Sequence, residues 1–68
     1  MNELDTEILR VFGHTNYYLS ISSNGADTVC ACIVAGVQDT VTPSFADEQS
    51  ALDALLDHYR SAPSLNEA

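Results

Sequence analysis

The chain has 68 residues, 46% of them apolar, and its ten acidic and two basic side chains give a net charge of −8. That length allows a single small domain, residues 1–68, which buries only about 60% of its unfolded surface. A surface so uniformly negative repels nucleic acid and anionic lipid and attracts basic surfaces, which excludes direct nucleic-acid binding.

No apolar run approaches the roughly 20 residues of a membrane span. The opening Met1-Asn2-Glu3-Leu4-Asp5 is acidic, unlike a secretory signal or a transit peptide, so a soluble cytoplasmic protein is expected. From Asn2 to Phe12, Leu4, Ile8, Val11 and Phe12 fall at helical spacing, with Glu3, Asp5 and Glu7 turned away. Asn2 suits the cap and Gly13 the left-handed residue that ends such a helix. A strand through Ile8–Phe12, rich in β-branched and aromatic residues, is the competing reading.

Gly13–Asn16 reads as a loop. Tyr17 to Ser23 then alternates, with Tyr17, Leu19 and Ile21 on one face and Tyr18, Ser20 and Ser22 on the other, as a half-buried strand does. Asn24-Gly25 is a strong type I′ hairpin signal, and a second strand follows from Asp27 to about Ala35. A two-residue Asn24-Gly25 loop sets Ser23 opposite Ala26, Ile21 opposite Thr28, Leu19 opposite Cys30 and Tyr17 opposite Cys32. Cys30, Cys32 and Val34 then share the inner face with Tyr17, Leu19 and Ile21. Val29, Ala31 and Ile33 make the other face of the second strand apolar too. That strand is therefore expected to be central, with the N-terminal segment or a partner covering its second face.

Gly36–Asp39 reads as a turn and Thr40–Phe45 as a short third strand, placed at an edge because Pro43 cannot donate to a ladder. Asp47 opens the last helix as its N-cap, and Leu52, Leu55, Leu56 and Tyr59 form its buried stripe. Ser61-Ala62-Pro63 stops it, and residues 62–68 read as a tail that frays. The expected class is α+β: an antiparallel sheet of about three strands packed against a C-terminal helix, with a short N-terminal helix or strand.

The sequence holds no catalytic signature, and a non-enzymatic role without a cofactor is expected. Cys30 and Cys32 point the same way from one strand, and with His14 and His58 they supply the atoms of a zinc site. Their spacing is unlike the usual Cys pairs on a turn, however, so two small buried side chains in a reducing compartment are the better reading. Buried thiols are also poor nucleophiles. Gly13, Gly25 and Gly36 are too far apart to cradle a phosphate, and Glu3, Asp5 and Glu7 lack the companions of a calcium loop.

The acids are better candidates for contact with a partner. Asp53 and Asp57, and likewise Glu3 and Glu7, are like charges at i, i+4, a spacing that costs a few tenths of a kcal/mol on a helix. Stability alone does not select such pairs. Either they keep a face solvated, or they form an array of carboxylates standing in for backbone phosphates. Glu3, Asp5, Glu7, Asp53 and Asp57 are thus the expected partner-binding residues, with Tyr18 as an exposed aromatic anchor.

A small, lysine-free acidic chain with a short sheet and a capped helix resembles phage-encoded inhibitors of the anti-CRISPR and anti-restriction class. The resemblance implies a DNA mimic that occupies a basic nucleic-acid-binding protein, such as a CRISPR effector subunit, in the host cytosol. The chain itself is then expected to be a monomer or a small homo-oligomer. A second resemblance is local: Tyr17 to Tyr59, with its strands, its turn and the helix opening Asp47-Glu48-Gln49-Ser50-Ala51-Leu52, is similar in pattern to HicB-like antitoxin domains. It implies a protein-interaction module whose acidity serves solubility.

Overall fold

Asn2 and Gly13 set the ends of the first element. In the computed structural model, which describes residues 1–67, Glu3–Phe12 form a helix, α1. The Asn2 side chain accepts from the Asp5 backbone N–H at 2.8 Å, and the Asp5 carboxylate accepts from the Asn2 N–H at 3.3 Å. This reciprocal pair satisfies two N–H groups that the first turn leaves unpaired. Gly13, at φ 81°, closes the helix by donating to the Leu9 carbonyl. The N-terminal segment is thus a helix, not a strand.

Three strands follow, β1 (Tyr17–Asn24), β2 (Asp27–Val34) and β3 (Val37–Val41), in an antiparallel sheet of order β1-β2-β3. The β1–β2 register differs from the one the Asn24-Gly25 signal suggests. Asn24 pairs with Asp27, so the loop is Gly25-Ala26, and Ile21 faces Cys30, Leu19 faces Cys32 and Tyr17 faces Val34. Only Gly25 has a positive φ (66°), which suits a turn with glycine at its first central position. This register pairs all eight residues of β1 and gives Val34 a partner in β1; the other would leave Val34 with none there. The slip is by two residues, so each side chain keeps its expected face.

The type I′ conformation appears instead at Ala35-Gly36, both at positive φ (51° and 80°), and this turn starts β3 at Val37, not Thr40. Pro43 therefore lies beyond the strand, although β3 is an edge strand. Phe45 returns to bridge Thr28. Opposite Ile33 the β3 ladder carries a bulge, with Asp39 the extra residue between Gln38 and Thr40.

The last helix, α2 (Glu48–Arg60), begins where the Asp47 carboxylate accepts from the Ser50 N–H at 2.7 Å. Its buried stripe is Ala51, Leu55 and Tyr59, with Leu52 and Leu56 half-buried beside it. Both helices lie on one face of the sheet, where Ile8, Cys30, Cys32, Ala51, Leu55 and Tyr59 form the core. The N-terminal segment therefore does not cover the second face, where Val29, Ala31 and Ile33 are half-buried and Tyr18 and Val41 are 61% and 47% exposed. The stretch expected to fray continues into a 3-10 turn at Leu65–Glu67; its last residue, Ala68, lies outside the described residues. Among the described residues, no helix is long and apolar enough to cross a membrane.

Candidate partner-binding surface

The helical layer carries most of the described acids: Glu3, Asp5 and Glu7 on α1, and Asp47, Glu48, Asp53 and Asp57 at or on α2. They are not equivalent. Asp5 closes the cap of α1 and also accepts from the Tyr17 hydroxyl at 2.5 Å, a bond that holds its carboxyl below the usual range. Glu7 accepts from Arg10 Nε at 2.8 Å. The rest of that guanidinium donates to the carbonyls of Tyr59 (2.7 Å) and Ala62 (2.9 Å) and to Ser64 Oγ (2.8 Å). Asp5 and Glu7 thus belong to the joints that fasten α1 to β1 and to the end of α2. Both oxygens of Asp5 and one oxygen of Glu7 are already bonded within the fold.

Glu3, Asp53 and Asp57 are exposed. Glu3 pairs with Arg60 from the neighbouring helix, and Asp53 accepts from Gln49 Nε2 at 2.9 Å, one turn earlier. Asp57 stands one turn beyond Asp53, and among the described residues its carboxylate meets no partner. Gln49, Asp53 and Asp57 therefore run as one polar stripe along α2.

Between this stripe and the start of α1 lies an open groove of about 320 Å³. The half-buried Leu4, Leu19, Leu52 and Leu56 line it together with the exposed Glu3 and Asp53. Apolar walls beside two carboxylates suit a long basic side chain, whose methylene stem packs on leucine while its head reaches the acids. The structure thus brings Glu3 and Asp53, fifty positions apart, to one groove, with Asp57 on the same helix.

Tyr18 stands elsewhere. It projects from the uncovered face of the sheet beside Ile33, whereas the acids lie on the helical side. One flat target meets either Tyr18 or the acidic stripe.

Cys30 and Cys32 are fully buried on the inner face of β2, and burial pushes both thiols above their ordinary pKa. His58 lies on α2 within 3.3 Å of Thr40 Oγ1, and His14 uses Nδ1 to accept from the Asn16 N–H at 3.1 Å. Among the described residues, no group of three or more His, Cys, Asp or Glu is placed to hold a metal ion.

Sequence reasoning missed the leucine groove and the anchoring role of Arg10. Arg10 had a visible signal, as one of only two cations among ten acids. The groove had none, because Leu4 and Leu19 come together with α2 only through tertiary packing. Scans against protein-family models, curated proteins and solved structures return no match to this chain.

Proposed function

We propose that this chain is a non-enzymatic inhibitor that docks its helical layer on the basic nucleic-acid-binding surface of another protein, in the manner of an anti-CRISPR DNA mimic. One observation carries the reading: Glu3 and Asp53 share an open leucine-lined groove, continued by Asp57 along α2. Held on two helices that are packed together, these carboxylates keep fixed spacings, as phosphates on a duplex do. A lysine or arginine of the target that normally meets a phosphate would enter the groove. The leucines would then supply the apolar contact that a phosphate lacks.

The test is competition. A CRISPR effector complex is loaded with labelled target duplex and titrated with the wild-type chain or with Asp53→Lys/Asp57→Lys. The wild type should displace the duplex, less effectively as salt rises, because exposed charges are screened beyond ~8 Å at physiological ionic strength. The reversed variant should keep its fold and lose most of the displacement. Displacement that ignores salt and survives the double reversal sinks the proposal.

A second reading, a HicB-like or similar interaction domain, is favoured by a different observation: the sheet leaves Tyr18, Ile33 and Val41 on an uncovered face. It expects an apolar interface, indifferent to salt and abolished by Tyr18→Ala.

A further inference from the structure

The two edges of the sheet are guarded unequally. β3 has only five residues, is distorted by the Asp39 bulge and is followed by Pro43, all features that discourage another strand from pairing. β1 has none of these. Its eight residues, Tyr17–Asn24, include no acid, no lysine or arginine and no proline, and they pair with β2 without a register shift.

The direction of its free groups follows from the ladder. The Ala35 N–H donates to the Asn16 carbonyl at 2.8 Å in the same register, so even-numbered residues of β1 bond to β2. The backbone groups of Leu19, Ile21 and Ser23 then point away from the sheet. The helices do not make up for this. Beyond Leu19 the strand is exposed on both faces, and Ile21, though it shares the inner face with Cys30, remains 41% exposed.

We propose that the β1 edge pairs with the β1 edge of a second copy of this chain, antiparallel across a two-fold axis at Ile21. The result is one continuous six-stranded sheet. Charge restricts where a second copy can approach. Two chains of net charge −8 repel wherever their helical layers meet, whereas β1 brings an uncharged strand to an uncharged strand. Of the three strands, β2 carries Asp27 and is central, and β3 carries Asp39, so β1 is its own best match. The pairing satisfies the outward N–H and C=O groups of both copies and sets Ile21 against Ile21 on the inner face, at the end of β1 that the helices do not reach. A two-fold contact of this kind is closed, so it makes dimers and not fibres.

The experiment is the molar mass of the full chain across a concentration series by light scattering or sedimentation. The wild type should approach twice the chain mass of 7.3 kDa as concentration rises. Ile21→Lys, which sets a charge at the axis while keeping every backbone N–H, should stay at the single-chain mass with unchanged circular dichroism. Ile21→Pro, which removes only an outward N–H, should do the same. Val41→Lys, on the uncovered face of β3, should leave the dimer intact. A wild type that remains at 7.3 kDa throughout overturns the proposal, as does a dimer that Val41→Lys dissolves and Ile21→Lys leaves unchanged.

Discussion

Tyr17 and Tyr59 do the same job at opposite sides of the molecule. Tyr17 of β1 donates to Asp5 of α1 at 2.5 Å, and Tyr59 of α2 donates to Asp39 in the β3 bulge at 2.6 Å. Each helix is thereby tied to an edge strand by a phenol–carboxylate bond. Burial first, and then the carboxylate, raises both phenols well above the ordinary tyrosine range. The pH dependence follows from the signs. Asp5 and Asp47 titrate below the usual carboxylate range in the fold, so their stabilisation is present at neutral pH and is lost as pH falls through their folded pKa values. Tyr17, Tyr59, Cys30 and Cys32 are raised, so they favour the fold below their unfolded values. That contribution is lost above about pH 8.5–10, where the unfolded chain releases these protons and the folded one retains them. The melting temperature should hold a plateau near neutrality and fall on both sides. Tyr59→Phe should cost about 1.5–3 kcal/mol at neutral pH, as for a hydrogen bond to a charged group, and should flatten the alkaline limb. An alkaline limb unchanged in that variant refutes the assignment.

At the scale of elements, the two turns invite a direct comparison. Ala35 occupies the left-handed region, where a residue with a Cβ is strained by roughly 1–2 kcal/mol. Ala35→Asn would place Asn-Gly at the turn that has the type I′ conformation, and the thermal midpoint should rise by the equivalent of about 1 kcal/mol. A loss of stability would contradict the turn geometry. In α2, Leu55 is fully buried and Asp53 exposed. Leu55→Ala should cost about 2–5 kcal/mol in chemical denaturation, and Asp53→Ala close to nothing. Equal shifts would mean that the helix presents another face to the sheet. The helices were legible in the sequence because their signals are local: Asn2 with Asp5, Gly13, Asp47, and apolar residues at helical spacing. The strand faces were legible for the same reason. The register was not, because Asn24-Gly25 and Gly25-Ala26 both satisfy a two-residue loop and only the full ladder to Val34 decides between them. The Asp39 bulge had no local signal either. In the candidate surface, Glu3, Asp53 and Asp57 are exposed as expected, whereas the commitments of Asp5 and Glu7 depend on Tyr17 and Arg10, which only the tertiary fold brings near.

The whole molecule measures 40 × 22 × 22 Å, with most of its described acids on the helical layer and a sparsely charged sheet face, with Asp27 at one end, behind them. Self-repulsion within that layer opposes folding, so moderate salt should raise the melting temperature; a steady fall with salt would show that the Glu3–Arg60 and Glu7–Arg10 pairs outweigh it. The same asymmetry gives the body a permanent electric dipole, with the helices at its negative pole. Near a cationic surface such a body experiences a torque before it makes any contact. In about 0.01 M salt the screening length of roughly 30 Å exceeds the 22 Å width, so the whole molecule turns. At physiological salt, with screening over about 8 Å, only the nearest helix is felt and most encounters arrive misaligned. Salt should therefore slow productive arrival far more than it shortens the life of the complex once formed.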